Sequence, residues 1–279
     1  MNGILIVNKE KDVTSRDVVN DICHIFGTKK VGHTGTLDPI ATGVLVITLG
    51  KYTKLCDDLT STFKEYIAEM KLGVSTDTLD ITGNILKEEK VELGNTVIIE
   101  GIKKFVGKYE QEVPIYSSVK VNGKKLYDYA RAGETVELPK REVEIKEIEV
   151  LEIKDDIVTF RCLVSKGTYI RSLIRDIGDS LNIPTTMNNL IRTKQGKFDI
   201  EDSYTIDEIR NNEYKLLDLE DILDLKIIEC DDELYKKISS GVKQELDYNN
   251  EYILYKNNGE NIALYKKDND YYRMHLFLV

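Results

Sequence analysis

Residues 32–45 of the 279-residue chain read GHTGTLDPIATGVL, a loop rich in glycine, threonine and proline around one carboxylate, Asp38. Glycine permits backbone conformations that other residues avoid, and Pro39 restricts Asp38 to extended or turn geometry. The apolar run at 44–49 indicates a buried strand directly after the loop. An isolated Asp-Pro pair usually does no more than start a turn. A carboxylate on a rigid loop beside a core strand is also how a scaffold presents a catalytic group.

The charge of the chain is unevenly distributed. The net charge is −10, and residues 201–279 contribute 10 basic and 19 acidic side chains, so residues 1–200 are close to neutral. The segment from Arg161 to Lys197 is locally basic, which is also compatible with an ordinary solvated surface. Because local field rather than net charge attracts a polyanion, the composition does not exclude a nucleic-acid partner.

Several classes of protein are disfavoured by what the sequence lacks. No apolar run is long enough to cross a membrane, and the N-terminus does not have the pattern of a signal peptide. The four cysteines are widely spaced and the chain has only three histidines, which argues against a zinc site. Phosphate-binding and dinucleotide-binding glycine motifs are missing. We therefore expect a cytoplasmic protein with free thiols, no metal and no cofactor.

Periodicity predicts an α+β fold with a mixed, largely antiparallel sheet. The predicted elements are a strand at 1–7, a helix from Ser15 to Gly27, strands at 44–49 and 66–72, a helix at 98–106, a strand at 157–164, a helix at 169–181, and short strands at 251–255, 262–265 and 274–279. The composition turns acidic between about 205 and 230. We therefore predict two domains, a catalytic domain at 1–220 and a small all-β module at 221–279.

The 32–45 stretch resembles the signature of the TruB family of pseudouridine synthases, in which the aspartate corresponding to Asp38 is the nucleophile. Residues 63–66 (FKEY) and 166–173 (KGTYIRSL) resemble two further family motifs. In the family, the tyrosine at Tyr66 stacks on the target base and the arginine at Arg171 pairs with the aspartate. Without the resemblance, Tyr66 would be taken as a core aromatic. Arg171 lies outside the apolar arc of its helix, which by itself indicates a solvated side chain.

The resemblance also implies a set of substrate-binding residues: His33, Thr36, Leu190, Lys9, Lys120 and Arg192. His33 would fill the space that the flipped base leaves. The chain departs from the family at Lys9-Glu10-Lys11-Asp12, where Lys-Pro-x-Gly is usual. After residue 201 the resemblance is weaker, and the last segment is similar to a short PUA-type RNA-binding module.

Taken together, these resemblances imply a tRNA pseudouridine synthase that acts on the T-loop uridine at position 55. Isomerisation of a nucleoside requires no redox agent, metal or phosphate donor, but it requires the base to leave its stack. The expected partner is the T-arm of tRNA, and we expect a monomer. A guide-dependent synthase of an RNA–protein particle and a non-catalytic RNA-binding or RNA-folding protein remain as alternatives.

Overall fold

The computed structural model describes residues 1–60 and 63–279. The described strands are β1 (Gly3–Lys9), β2 (Val31–His33), β3 (Thr42–Leu49), β4 (Lys64–Leu72), β5 (Val74–Thr76), β6 (Ile85–Glu88), β7 (Gly107–Glu112), β8 (Lys120–Val121), β9 (Lys124–Lys125), β10 (Lys140–Lys154), β11 (Ile157–Val164), β12 (Thr185–Gln195), β13 (Phe198–Asp199), β14 (Leu225–Glu229), β15 (Tyr252–Asn257), β16 (Glu260–Asp268) and β17 (Tyr271–Phe277). The described helices are α1 (Ser15–Phe26), α2 (Cys56–Thr60), α3 (Asn95–Lys103), α4 (Leu126–Ala132), α5 (Ile170–Leu181), α6 (Ile206–Arg210), α7 (Leu219–Ile222) and α8 (Asp232–Ser239), with 3-10 turns at Gly50–Leu55 and Ile200–Asp202.

Nine of the described strands form the central sheet. Its order is β1-β3-β12-β4-β11-β10-β7, with β2 paired to β3 and β13 paired to β12. The strand pairs are antiparallel except β3 and β12, where Ile191 lies opposite Thr42 and Arg192 opposite Gly43. This parallel pair brings the 32–41 loop, which precedes β3, close to β4 on the other side of β12. The predicted α+β fold with a largely antiparallel sheet is confirmed.

Strands β1 and β3 bury side chains on both of their faces because successive residues point in opposite directions. On one face, Leu5 and Leu45 pack against Ile22 of α1. On the other, Ile4 and Val46 belong to a cluster that includes side chains of the C-terminal sheet. Elsewhere, α3 and α5 cover β4, β10 and β11 in a third cluster. The strand beside the Asp38 loop is therefore fixed from both sides.

Helix α1 begins and ends as its sequence predicts. The Thr14 side chain accepts a hydrogen bond from the backbone N–H of Asp17, and the Asp17 carboxylate accepts one from the N–H of Thr14, which completes a capping box. Gly27 ends the helix in a left-handed conformation with φ of 61°. The cap places Ser15 at the first helical position, where its hydroxyl reaches the Asp38 loop.

The C-terminal part contains a four-stranded sheet in the order β14-β15-β16-β17. The three short strands expected near 251–255, 262–265 and 274–279 are present as β15, β16 and β17. The sequence pattern did not indicate β14, which runs parallel to β15, or α8. Helix α7 spans the predicted boundary at 220/221, so that division of the chain stays a prediction. None of the helices within residues 1–60 and 63–279 has the length and apolar character to cross a bilayer.

Gly43 allows β3 and β12 to approach each other closely, and we expect Gly43→Ala to destabilise the fold. Gly43 has a φ of 98°, and a Cβ atom there would lie 2.3 Å from the backbone oxygen of Arg192. Backbone strain and overpacking each cost about 1–3 kcal/mol. Gly259→Ala is the matched control, because Gly259 has a φ of 79° and open space around it. Thermal unfolding should show the larger destabilisation for Gly43→Ala; equal destabilisation would mean that the close approach contributes nothing.

Candidate active site

Asp38 and Arg171 form a two-point ion pair between the 32–41 loop and the first turn of α5. The Nε atom of Arg171 lies 2.8 Å from Oδ2 of Asp38, and its Nη2 atom donates a hydrogen bond of 3.0 Å to Oδ1. Paired contacts between a planar guanidinium and a carboxylate fix the orientation of both groups. The Asp38 side chain stays 34% exposed, whereas that of Arg171 is 5% exposed. Arg171 therefore fixes the orientation of the carboxylate on one side, while the other side of the carboxylate stays exposed.

Arg171 also binds the backbone of two other segments. Its Nη1 atom donates to the carbonyl oxygen of Thr78 and its Nη2 atom to that of Tyr116, both at 3.0 Å. The helical pattern alone indicated a solvated arginine, and that interpretation is wrong. The side chain points away from the apolar core that α5 covers, but loops from three parts of the chain surround it. A single-helix projection does not include such long-range contacts.

The backbone around Asp38 is held by side chains from other elements. The Ser15 hydroxyl accepts a hydrogen bond from the N–H of Leu37 and donates one to its carbonyl oxygen. The Lys9 amino group donates to the carbonyl oxygens of Glu10, Val13 and Pro39 at 2.6–3.2 Å. Burial is the largest influence on Lys9 and lowers its pKa to about 8, while Asp38 opposes this effect. The loop thus has fixed supports on both sides of Asp38.

Arg192 supports the same loop from β12. It is almost completely buried, and it donates a hydrogen bond of 2.6 Å from Nε to the carbonyl oxygen of Val44 and one of 3.0 Å from Nη2 to that of Gly35. Gln195, three residues further along β12, donates to the carbonyl oxygen of Thr34 at 3.2 Å. The chain on both sides of Asp38 is therefore tied to the neighbouring strand.

A cavity of about 450 Å³ opens in front of Asp38. Its lining comes from the Asp38 loop, the end of α2, β4, the 116–127 segment, the 166–171 turn and β12. Four of the residues predicted as site residues from the sequence line it together with Asp38 and Arg171: Thr36, Tyr66, Leu190 and Arg192. The structure therefore brings three separate sequence motifs to one cleft.

Tyr66 lies on the buried face of β4 and lines this cavity. Burial is the main cause that raises the pKa of its hydroxyl, and nearby Arg192 acts in the opposite direction. The side chain is only 6% exposed and belongs to the apolar cluster under α5. Tyr66 is thus a core aromatic whose ring also borders the cleft, so both interpretations of its sequence position hold together.

Three of the predicted substrate-binding residues are absent from the lining of the cavity. His33 is half-buried on β2, and its Nδ1 accepts a hydrogen bond of 3.3 Å from the Gly35 N–H. Burial lowers the pKa of His33, with smaller effects from Arg16 and Arg192, so its neutral form is favoured. Lys9 is fully buried behind the loop. Lys120 is exposed on the short β8–β9 hairpin, which follows Tyr116 in the chain.

Two lysines of the cleft, Lys64 and Lys166, were not predicted from the sequence. Both lie inside motifs that were recognised for other residues. Lys64 is two positions before Tyr66 on β4, so strand alternation places both side chains on one face. This spacing could have identified Lys64 as a residue of the cleft from the sequence. For Lys166, which lies in a turn, no periodicity could indicate its direction.

Within the described residues, no group of three or more histidine, cysteine, aspartate or glutamate side chains is arranged to hold a metal ion. The cleft instead presents an oriented carboxylate, four tyrosine side chains and several cations. A carboxylate of this kind can attack an electrophilic carbon and form a covalent intermediate. The arrangement therefore supports nucleophilic chemistry on a substrate that carries negative charge.

Comparison with known proteins places the chain in a family. Residues 23–170 match the model of the TruB family pseudouridylate synthase N terminal domain. The chain is 43% identical over 253 residues to tRNA pseudouridine synthase B of Clostridium kluyveri, covering 87% of this chain and 85% of the relative. It is 38% identical over 293 residues to the protein of that name from Lactobacillus acidophilus, covering 100% and 99%.

Solved structures share the same fold. A chain in the crystal structure of a Cbf5-Nop10-Gar1 complex is 26% identical, with a TM-score of 0.69 over 95% of this chain and 78% of that chain. A chain of an H/ACA RNP bound to a substrate RNA containing 2'-deoxyuridine is 24% identical, with a TM-score of 0.68 over 99% and 84%. With the family match across the Asp38 loop and the relatives that span nearly the whole chain, this protein belongs to the TruB family of pseudouridylate synthases.

Proposed function

We propose that this protein isomerises the T-loop uridine at position 55 of tRNA to pseudouridine. The observation that carries the proposal is the two-point contact between Asp38 and Arg171 at the wall of an open cleft. The curated relatives with 38–43% identity are named tRNA pseudouridine synthase B. Family membership and an oriented nucleophile in the matching loop support the same activity.

The reaction conserves every atom of the nucleoside. The bond between N1 of uracil and C1′ of ribose breaks, and a bond between C5 and C1′ forms. C5 loses a proton and N1 gains one, so no oxidant, reductant or donor is consumed. The base must turn over between these steps, which requires it to be out of the RNA stack and held in a closed site. The cleft has to supply a nucleophile, a surface for the base and a path for the proton.

Asp38 acts as the nucleophile in this proposal, and Arg171 holds its carboxylate in one orientation through the two-point contact. Attack at ribose has a chemical parallel in retaining glycosidases, where a carboxylate bonds to the anomeric carbon. Attack on the ring of the base is the other route compatible with the same geometry.

The remaining residues bind or position in this proposal. The Tyr66 ring stacks on the flipped base, while Leu190 and Thr36 border it. Neutral His33 fills the space left in the RNA. The resemblance to the family implies these roles, and they are supported by the place of Tyr66, Leu190 and Thr36 in the lining of the cleft and of His33 directly before the Asp38 loop.

Lys9 and Arg192, which the resemblance assigned to substrate binding, also contact the loop around Asp38. Their charged groups donate to backbone carbonyl oxygens of the loop, so we assign them to positioning Asp38. Lys120 belongs to the basic β8–β9 hairpin, where the Lys124 amino group lies 4.6 Å from the ring centre of Tyr129 on α4. We assign that exposed hairpin to contact with the RNA outside the cleft.

Residues 221–279 would form a PUA-like module that contributes affinity for the T-arm. The support for this assignment is the compact four-stranded sheet and the absence of Asp38, Tyr66 and Arg171 from it. We propose that the protein acts as a monomer.

A guide-dependent synthase is the second candidate. It is favoured by the likeness to a chain of the Cbf5-Nop10-Gar1 complex at 26% identity. The relatives that match at 38–43% carry the name of a tRNA synthase instead. We therefore rank guide-independent action first.

The test is to incubate the purified protein with an unmodified tRNA transcript and no other RNA, and then to map pseudouridine along the transcript. We expect modification at position 55. A transcript with cytidine at that position is the matched control and should stay unmodified. Product only after addition of a guide RNA would favour the second candidate. Tight binding with no product under either condition would indicate a non-catalytic RNA-binding protein.

Two variants of Tyr66 separate stacking from hydroxyl chemistry. Tyr66→Phe keeps the ring and should bind T-arm RNA like wild type. Tyr66→Ala should weaken binding by about 1–3 kcal/mol, the usual contribution of an aromatic stack on a base. Because Tyr66 is also a core residue, Tyr66→Ala should unfold at lower temperature. RNA affinity measured well below that temperature decides the matter: equal affinity for all three proteins would leave Tyr66 with only its core role.

A further inference from the structure

The described lining of the active-site cleft carries more positive than negative charge. It includes four cationic side chains, those of Lys64, Lys166, Arg171 and Arg192, and one carboxylate, that of Asp38. Arg171 neutralises Asp38 through its two-point contact. This excess of positive charge in the cleft contrasts with the net charge of −10 of the whole chain. Uracil and ribose are both uncharged, so recognition of the nucleoside alone does not account for it.

Lys64 lies deep in this cleft and close to Arg192. Its side chain is 7% exposed. A Cβ atom built on Gly35 would lie 3.6 Å from Cε of Lys64 and 3.7 Å from Nη1 of Arg192, so both side chains approach the same point of the Asp38 loop. Burial, followed by the positive charges of Arg192 and Lys166, lowers the pKa of Lys64 to about 8. An anion bound beside Lys64 would offset all three of these effects.

The position of Lys64 relative to Tyr66 fits one nucleotide. The two side chains alternate with Glu65 on β4 and share its buried face. At about 3.3 Å of rise per residue, their Cα atoms are roughly 7 Å apart. A base stacked on Tyr66 is joined to its phosphate groups through a single ribose. This spacing is compatible with a phosphate at Lys64 when the base lies against Tyr66.

Lys166 approaches from the mouth of the cleft. It is exposed on the turn between β11 and α5, where the Thr168 hydroxyl donates to the carbonyl oxygen of Ser165 at 2.9 Å. A Cβ atom at Gly167, which has a φ of 84°, would lie 3.9 Å from Nη1 of Arg141. The turn thus holds an exposed lysine at the cleft entrance beside a second cation.

We infer that Lys64 and Lys166 form a phosphodiester-binding subsite, which holds a phosphate next to the flipped uridine while its base lies against Tyr66. This inference rests on the proposed function and specifies which part of the substrate the cleft recognises besides the base. In the subsite, Lys166 meets the phosphate at the entrance and Lys64 contacts it from inside.

The test removes one charge at a time from the RNA and from the protein. A T-arm RNA is made with a neutral methylphosphonate at either phosphate that flanks the target uridine. Its affinity is measured in the Asp38→Asn background, which prevents turnover, for proteins with Lys64→Gln, Lys166→Gln or neither. Lys104→Gln is the matched control, because Lys104 is an exposed lysine beside α3, outside the lining of the cleft.

We expect one methylphosphonate to weaken binding about tenfold when both lysines are present and less than twofold after Lys64→Gln. The slope of log affinity against log salt should become shallower by roughly 0.7 for each phosphate of the single strand that a lysine no longer neutralises. Lys166→Gln should likewise reduce the effect of the methylphosphonate on affinity, and we call this dependence coupling. Lys104→Gln should leave the effect unchanged. If the methylphosphonate and the lysine substitutions change the binding free energy independently and additively at both phosphates, the inference is overturned.

Two further measurements keep the result decisive. If Lys64→Gln does not fold, as judged by thermal unfolding, Lys64→Arg retains the charge and should retain the coupling, and Lys166→Gln tests the subsite from an exposed position. Absence of coupling in Lys64→Arg together with additive behaviour in Lys166→Gln would contradict the subsite. Product formation by the wild-type protein on unmodified RNA is measured separately. Failure of the subsite with normal product leaves the proposed function intact, while absence of product rejects the function itself.

Discussion

Asp38→Asn is expected to abolish multiple turnover while leaving folding and tRNA binding close to wild type. Asparagine has nearly the same shape, but its amide is not a nucleophile. Removal of the nucleophile from a serine protease costs on the order of 10⁶-fold in rate. The measurement is the rate of pseudouridine formation at saturating protein, together with the equilibrium affinity for the transcript.

Deamidation back to aspartate has to be excluded by mass spectrometry of the purified variant. Asp12→Asn is the matched control, since Asp12 lies nearby and its backbone N–H donates to the carbonyl oxygen of Pro39. That hydrogen bond does not involve the carboxylate, so we expect ordinary activity. Turnover by authentic Asp38→Asn at more than a tenth of the wild-type rate would remove Asp38 from its assigned role.

Arg171→Lys is expected to lower the rate strongly although the charge is retained. Lysine can replace one hydrogen bond to Asp38, but it cannot also reach the carbonyl oxygens of Thr78 and Tyr116. A charged hydrogen bond contributes about 1.5–3 kcal/mol, and each 1.36 kcal/mol corresponds to a factor of ten in rate. We therefore expect the rate to fall about 10²-fold, with a lower unfolding temperature. Single-turnover rates give the first quantity and calorimetry the second.

Arg175→Lys provides the comparison on the same helix, four residues further on. Arg175 pairs with Glu112 and Asp176, away from the cleft lining. This variant tests whether replacement of any arginine of α5 lowers the rate by destabilising the fold. Similar activity for the two variants would show that the ion pair between Arg171 and Asp38 is not needed for the reaction.

Local sequence signals predicted the parts of the fold that depend on neighbouring residues. The capping box at Thr14 and the stop at Gly27 define α1 because they act within one helical turn. The alternation from Tyr66 to Leu72 defines β4 because its face meets the apolar layer. The cleft itself was located by the resemblance of three motifs, which lie far apart in the sequence.

The structural surroundings of the site depended on contacts that local patterns do not contain. The burial of Arg171 results from Thr78 and Tyr116, which are 93 and 55 residues away. The parallel pairing of Arg192 with Gly43 likewise joins β12 to the Asp38 loop across the chain. Predicting such contacts requires the sheet order, and one sequence does not provide it. For the same reason, the sequence did not indicate that the Lys9 amino group donates to the carbonyl oxygen of Pro39 in the loop.

The central claim is that this chain alone converts a uridine in the T-loop through Asp38. The direct measurement uses a tRNA transcript whose position-55 uridine carries tritium at C5, with protein present at a small fraction of the RNA concentration. Because C5 loses its hydrogen when it bonds to ribose, wild-type protein should release one tritium per tRNA, and Asp38→Asn should release none. No release by the wild-type protein without added RNA or protein partners, or equal release by Asp38→Asn, would contradict the account.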